Sequence, residues 1–228
     1  MANPNEQAAP PQKTSKVIIA VNTPDGIGYF VDSEGNKLFN KQFDEVRSFS
    51  EGLAGVKQNG KWGYINTKGE EVIPCIYDRV YDFSDGLACV DQNGKCGFIN
   101  AKGEVVIPCI YDWAESFSEG LAPVEQNGKW GVINTKGEVV VPCIYRRVAL
   151  IEGIIHVKEG RGEIGGCGCF NTKGEVLAPS IYDYPVYFSE GLAKVQYDYK
   201  WALSTPRVSK SFLAFMTIWG ISLKAFPK

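Results

Sequence analysis

The chain has 228 residues, a formal net charge of −2 and a hydrophobic content of 44%. Such a composition is typical of a soluble, folded chain, and the charge gives no electrostatic reason to expect a nucleic acid or an anionic membrane as partner. The sequence has one histidine, His156, so the commonest general base and metal ligand is nearly missing. Composition therefore argues against an enzyme and against a nucleic-acid-binding protein.

Residues 1–16 are rich in Pro, Gln, Asn and Ala and contain no apolar stretch. This pattern predicts a disordered leader and not a secretion signal. The chain has seven cysteines, and an odd number without a signal peptide favours a reducing compartment. The expected location is the cytoplasm.

Residues 17–203 repeat with a period of 34. The segment that starts Gln-Asn-Gly-Lys-Trp-Gly at Gln58 returns, with substitutions, at Gln92 and Gln126. Looser copies flank these three, which gives about five units plus a partial sixth. A fixed period of this length predicts one supersecondary unit stacked many times around a continuous core.

One copy of the unit predicts three strands. Residues 121–126 and 129–134 flank Asn127-Gly128, a pair that tolerates the positive φ of a type I′ hairpin turn. After a second turn at 135–137, residues 138–141 form the third strand, and a crossover without helical periodicity follows. The prediction is an all-β fold of tandem β-meander repeats, stacked as an open superhelical, solenoid-like array. Propeller-like closure is the alternative, less favoured because propeller blades have four strands.

Comparison of the copies predicts which side chains form the core. Positions that stay bulky and apolar are expected to be buried, and a position of mixed chemistry is expected to be exposed. The predicted core comprises Ile65, Ile99, Ile133 and Phe170; Val72, Val106, Val140 and Leu177; Phe49, Phe83, Phe117 and Phe188; and Leu53, Leu87, Leu121, Ile154 and Leu192. The predicted exposed set is Gly55, Cys89, Pro123, His156 and Lys194.

The repeated Trp-Gly pair has two interpretations. Strand alternation places Trp62 and Gly63 on opposite faces, and the glycine leaves room for close approach by backbone or a ring. The tryptophans form either an aromatic ladder that stacks on sugars or wedges between adjacent units. Cys96 and Cys167 replace the tryptophan in two copies, which favours the structural interpretation.

The cysteines and the recurrent aspartates are also interpreted as structural. Duplication accounts for the spacing of Cys75, Cys109 and Cys143, and Cys167-Gly168-Cys169 lacks the gap of a zinc knuckle. A recurrent aspartate after Ile-Tyr is expected to cap a turn. These aspartates are Asp78, Asp112 and Asp183, with Arg146 in the remaining copy.

The segments KWGYIN at 61–66 and KWGVIN at 129–134, with the recurrent Phe-Ser-Glu-Gly-Leu-Ala, resemble the WG-repeat family of bacterial proteins. The resemblance covers roughly residues 17–201. It implies a non-enzymatic β-repeat array with a role in interaction and supplies no catalytic residues. The first copy departs from the pattern, with Gly28-Tyr29 in place of Trp-Gly.

Two segments differ from the repeat. Residues 160–166, GRGEIGG, are predicted to be a flexible loop, because a phosphate-binding glycine motif needs a strand-to-helix context. Residues 204–228 form a divergent basic and apolar tail, in which 211–223 is shorter than the roughly 20 residues that span a bilayer. An interfacial anchor, a docked cap and an out-of-frame product are the open interpretations of the tail.

The sequence predicts a non-enzymatic scaffold that presents a surface to another protein. The alternative is a carbohydrate or cell-wall binding module that uses the repeat aromatics, since the Asn-Gly-Lys-Trp hairpins also resemble wall-binding repeats of bacterial surface proteins. No catalytic, cofactor-binding or metal-binding residue is predicted, and no cofactor. Membrane contact is expected only if residues 211–223 form an interfacial segment.

Overall fold

A computed structural model describes residues 17–160, 166–189, 192–198 and 200–204. All regular elements in these ranges are β-strands. The predictions for the leader at 1–16, for loop residues 161–165 and for the tail from 205 to 228 lie outside the described residues. The chain divides into two compact units, Met1–Cys75 and Ile76–Lys228.

The first unit contains two antiparallel sheets whose strands follow one another in chain order. The first sheet comprises β1 (Ile19–Asn22), β2 (Gly28–Val31) and β3 (Lys37–Phe43). The second sheet comprises β4 (Glu45–Ser50), β5 (Leu53–Gln58), β6 (Lys61–Asn66) and β7 (Glu71–Tyr77). The boundary between the units falls within β7.

The second unit contains four antiparallel sheets, also in chain order. The third sheet comprises β8 (Arg79–Val80), β9 (Leu87–Gln92), β10 (Lys95–Asn100) and β11 (Val105–Tyr111). The fourth comprises β12 (Trp113–Ala114), β13 (Leu121–Gln126), β14 (Lys129–Asn134) and β15 (Val139–Tyr145). The fifth comprises β16 (Arg147–Ile151), β17 (Ile154–Lys158), β18 (Cys167–Asn171) and β19 (Val176–Tyr182). The sixth comprises β20 (Tyr187–Ser189), β21 (Leu192–Tyr197) and β22 (Lys200–Ser204).

These sheets confirm the predicted all-β tandem array of meander repeats. Within the second unit each sheet contacts the next one along the chain, and no sheet among the described residues closes on itself. The core is accordingly divided into clusters that combine side chains from successive sheets.

The predicted number of strands is wrong, because the crossover contains a short fourth strand. In the third and fourth sheets, Val80 pairs with Val90 and Ala114 pairs with Val124. A two-residue strand is too short to show a periodic pattern in the sequence. Four strands also match the count in a propeller blade, so the strand-count argument against that alternative does not hold.

The core prediction is confirmed for one set and wrong for another. Ile65, Ile99 and Ile133 are at most 1% exposed. Gly55, Cys89 and Pro123 are buried rather than exposed, His156 is half-buried, and only Lys194 is exposed. The reason is that β5, β9 and β13 each bury four consecutive residues, so both faces of these strands are covered and alternation does not separate core from surface.

The register predicted for the third strand of the unit is also wrong. Val72 and Val106 are 36% and 38% exposed, whereas Ile73 and Ile107 beside them are buried. The pairing of this strand contains register shifts typical of β-bulges, which displace the alternation. Among the remaining predicted core residues, Leu53, Phe83, Leu87, Phe117 and Leu121 are buried, Phe49, Val140, Ile154, Phe170, Leu177 and Phe188 are half-buried, and Leu192 is exposed.

Candidate functional site

The glycine of the Trp-Gly pair lies under the backbone of the bulged strand. A Cβ atom at Gly131 would stand 2.5 Å from the carbonyl oxygen of Val141, and at Gly97 it would stand 2.6 Å from that of Ile107. Real Cβ atoms do not approach a backbone oxygen this closely. The predicted close approach of neighbouring backbone is therefore confirmed, and the glycine serves the scaffold rather than a ligand.

The cysteine after each repeated proline reaches across this glycine. The thiol of Cys143 donates to the carbonyl oxygen of Val124, with Sγ and O 3.8 Å apart, and Cys109 makes the same contact with Val90 at 3.9 Å. Burial raises the pKa of the Cys143 thiol. A thiol with a raised pKa that donates within its own sheet is suited to a structural role.

The remaining cysteines fill the core. Cys96, which replaces a tryptophan, is 2% exposed and packs in a cluster with Cys89 and Phe98. Burial raises the pKa of Cys169 to about 11. The seven thiols are free, and within the described ranges no three His, Cys, Asp or Glu side chains are grouped as metal ligands.

The tryptophans occupy two different environments. Trp62 is 5% exposed, and its ring receives cation–π contacts from Arg47 and Lys57, at 5.1 Å and 5.8 Å, on the two preceding strands of the same sheet. Trp130 at the same repeat position is half-buried. Trp201, again at this position, is 55% exposed. A continuous aromatic ladder along the repeats is therefore absent from the described part of the chain.

Two of the recurrent aspartates, Asp78 and Asp112, cap hairpin turns, as predicted. The Asp112 carboxylate accepts a hydrogen bond from the backbone N–H of Asn127 at 2.6 Å, and Asp78 accepts one from Asn93 at 2.8 Å. Lys95 also forms an ion pair with Asp112. The hydrogen bond from Lys95 and the N–H of Asn127 lower the pKa of Asp112.

A second turn in the unit is held by an asparagine side chain. The Asn134 Oδ1 accepts from the N–H groups of Lys136 and Glu138, each at 3.0 Å, and its Nδ2 donates to the Glu138 carboxylate at 2.7 Å. In the first sheet the residues are exchanged, with Asp32 as acceptor and Asn36 as donor. The first copy therefore keeps the turn although it lacks Trp-Gly.

The surface features that sequence reasoning missed are exposed aliphatic side chains on the last strand of successive sheets. In the second unit they occur at two repeat positions, and we call them the apolar stripe. The apolar stripe consists of Ile76, Ile110 and Ile144, exposed by 48%, 47% and 55%, and of Val105, Val139 and Val176, exposed by 61%, 62% and 59%. From the sequence, these residues were assigned neither to the core nor to the surface.

A separate group of exposed aromatic side chains lies at the sixth sheet. Tyr184 and Trp201 stack with ring centroids 6.3 Å apart, and the Lys194 ammonium lies 4.5 Å from the centre of the Trp201 ring. Tyr187 is 61% exposed. Trp113, in the fourth sheet, is 39% exposed and meets Tyr81 edge-on at 6.4 Å.

A family model described as "WG containing repeat" matches residues 30–62, 62–96, 97–130, 130–160 and 168–201. These matches cover well over half of the chain, so the chain belongs to the WG-repeat family. The five tandem copies agree with the period seen in the sequence, and the first of them begins at residue 30, directly after Gly28-Tyr29.

One solved structure gives a similarity in fold. The chain resembles one entitled "Crystal structure of the eukaryotic initiation factor" at 12% identity with a TM-score of 0.51, over 85% of this chain and 60% of that one. A second, "Crystal structure of the tricorn protease", matches at 10% identity with a TM-score of 0.35, over 75% of this chain and 22% of that one. The chain thus spans less than two thirds of either. No curated protein shows significant similarity, and none of the described residues forms a helix suited to crossing a bilayer.

Proposed function

We propose that this protein is a non-enzymatic cytoplasmic scaffold that binds another protein through its apolar stripe. The observation that carries the proposal is the exposure of one isoleucine at the same position in three successive repeats. Ile76, Ile110 and Ile144 are each about half exposed. Recurrent exposed aliphatic side chains mark a contact surface more often than scattered single ones do.

The chemistry of the stripe suits protein binding. Isoleucine and valine are stiff at χ1, so they lose little conformational freedom when a partner covers them. Full burial of such a side chain is worth about 1.5–3 kcal/mol. The exposed prolines Pro108 and Pro142 lie in the same strands, and proline at a sheet edge discourages non-specific pairing with other strands.

The exposed surface of the stripe lies outside the core that anchors its own strand. The buried side chains of Ile107 and Val141, which are 3% and 0% exposed, anchor β11 and β15. Ile110 and Ile144 lie outside that anchor. Their exposed surface therefore has no role in the described core, which supports a role in binding.

Affinity capture with matched variants tests the proposal. The double variant Ile110→Lys and Ile144→Lys is compared with Lys102→Ala and Lys136→Ala, which change exposed turn residues of the same two sheets. Proteins retained in stoichiometric amounts by the wild type should be lost by the first variant and retained by the control. Unchanged thermal unfolding of both variants shows that the fold is intact, and equal capture by both contradicts the proposal.

Carbohydrate binding is the second candidate, supported by the exposed Tyr184 and Trp201 pair. Sugars stack on exposed aromatic faces, and these two rings are each more than half exposed. A glycan array tests this candidate, with Trp201→Ala as the variant and Trp62→Ala as the control for a buried indole. Glycan binding that is lost only in Trp201→Ala would favour this candidate over the protein-binding scaffold.

A further inference from the structure

A small cavity lies between the turns of the fourth and fifth sheets, both in the second unit. Its volume is about 70 Å³, well above the roughly 10–15 Å³ that one water needs. The aliphatic part of the lining is Leu121, Leu150 and Ile154, and the polar part is Ser118, Glu119, Glu152, Gly153 and Thr172. No basic side chain lines the cavity.

The two glutamates that line this cavity have no counter-ion among the described residues. Neither Glu119 nor Glu152 forms a hydrogen bond or an ion pair with any part of the chain that the structure describes. Both occupy the left-handed backbone conformation at a turn, with φ of 53° and 50°. Two unpaired carboxylates beside an aliphatic floor give the cavity a negative charge that it does not itself balance.

The neighbouring junction, between the third and fourth sheets, has a contact that this junction lacks. Between the third and fourth sheets, the Asp85 carboxylate accepts a hydrogen bond from the N–H of Gly120 at 2.7 Å. Glu119 stands at the repeat position of Asp85, and Gly153 at that of Gly120. The equivalent bond, from the N–H of Gly153 to the Glu119 carboxylate, is not formed, and the cavity lies at this position.

We propose that this cavity accepts the side chain of a lysine of the protein partner, an assignment that rests on the proposed function. The methylene stem of lysine packs on leucine and isoleucine, while its ammonium donates to both carboxylates. An ammonium is a compact charge that the two carboxylates can share, whereas the planar fork of a guanidinium matches a single carboxylate. A calcium ion needs six to eight oxygen ligands, which an aliphatic floor does not offer.

Binding of a small probe to the full chain tests the assignment. Nα-acetyl-lysine N-methylamide is titrated into ¹⁵N-labelled protein, with the norleucine analogue as the uncharged probe and 1,4-diaminobutane as the free-amine probe. The expected result is a saturable shift of the amide signals of Gly153 and Ile154 with the lysine probe alone. The variant Glu119→Gln with Glu152→Gln should bind it about tenfold more weakly.

The control variant is Glu115→Gln with Glu159→Gln, which removes two exposed charges of the same unit outside the cavity and should leave binding unchanged. The assignment is overturned if the norleucine probe binds equally well, if the lysine probe gives no shift, or if the two double variants behave alike. Tighter binding of 1,4-diaminobutane than of the lysine probe overturns the assignment to a protein side chain. Loss of lysine binding with capture through the apolar stripe intact counts against this assignment only.

Discussion

The fourth and fifth sheets are neighbouring copies of one unit, and they differ most at the hairpin tip. In the fourth sheet the tip is Asn127-Gly128, both residues have positive φ, and Asp112 caps Asn127. In the fifth sheet the strands end at Lys158 and restart at Cys167, and Arg146 stands at the position of the capping aspartate.

What the two sheets share is equally informative. Gly168 lies under the bulged strand, where a Cβ would be 2.8 Å from the carbonyl oxygen of Ala178. Asn171 accepts the N–H of Glu175 at 2.9 Å, as Asn134 does with Glu138. The fifth sheet therefore lacks both the aspartate cap and the two-residue tip. It keeps the glycine under the bulge and the asparagine turn.

Truncation of the shared core should have the largest effect. Ile133→Ala leaves a cavity at a position 1% exposed and is expected to cost about 2–5 kcal/mol. Its counterpart in the fifth sheet, Phe170, is half-buried, so Phe170→Ala should cost less than the about 3–5 kcal/mol of a fully buried phenylalanine. Urea unfolding followed by tryptophan fluorescence measures both. Equal losses would contradict the difference in burial between the two copies.

Substitution of the glycine under the bulge should come next. Gly131→Ala and Gly168→Ala force backbone apart in their respective sheets, and each is expected to cost about 1–3 kcal/mol, with Gly131 the more sensitive. At Gly128 nothing lies within 4 Å, but its φ is +72°. Gly128→Ala should therefore cost only about 1–2 kcal/mol of left-handed strain. A neutral Gly131→Ala in thermal unfolding would refute the steric role.

Loss of the cap should have a smaller effect, confined to the fourth sheet. Asp112→Ala is expected to lower the thermal midpoint at pH 7, whereas Arg146→Asp should give no gain because the fifth sheet lacks the tip to be capped. The pKa of Asp112 is below its ordinary value of 3.8, so its contribution is present above that pH and fades as the pH falls below it. The midpoints of wild type and Asp112→Ala should converge towards pH 2, and a constant difference would contradict the charge-assisted cap.

A small pH dependence of stability is expected from His156, which lies in the fifth sheet. Burial lowers the pKa of His156 from its ordinary value of 6.5, and the fourth sheet has Pro123 at this position. The unfolded chain then binds more protons than the folded chain below about pH 7, so stability falls as the pH drops through 6.5. In His156→Gln the thermal midpoint should therefore change less between about pH 7.5 and about pH 5.5 than it does in the wild type. An unchanged slope would assign the effect to other groups.

The smallest effect on stability is expected for Cys143→Ser, because the equivalent residue of the fifth sheet is already a serine. Ser180 in the fifth sheet stands at the position of Cys143 in the fourth, and Ser180 Oγ likewise lies near the glycine of its sheet, 2.8 Å from a Cβ built at Gly168. Cys143→Ser should therefore change stability by less than about 1 kcal/mol. A larger loss in chemical unfolding would show that the sulfur has a packing role that the hydroxyl does not fill.

Much of the fold follows from the sequence, because a repeat reveals which positions are constrained. The Asn127-Gly128 turn, the aspartate caps and the role of Gly131 are each local features with a known chemical signal. The two-residue strands β8 and β12 carry no such signal. The register predicted for the third strand took Val106 and Val140 as core, so the exposed Ile110 and Ile144 of the apolar stripe were assigned no surface role.

The cavity between the fourth and fifth sheets was beyond sequence reasoning for a different reason. Glu119 and Asp85 differ by one methylene, and both are acidic turn residues in the sequence. Only the three-dimensional arrangement shows that Asp85 bonds to the next turn while Glu119 does not. A missing contact between two copies has no signature within either copy.

The hydrogen bonds that fix each sheet join residues close together in the chain. In the fourth sheet the cap spans 15 residues, the thiol contact 19 and the asparagine turn 4. Folding rates rise as contacts become more local, since little loop entropy is lost before a contact forms. Each copy can thus form its own sheet before it packs against the neighbouring copies. Gain or loss of one copy would therefore change the length of the array with little effect on the speed at which the others fold.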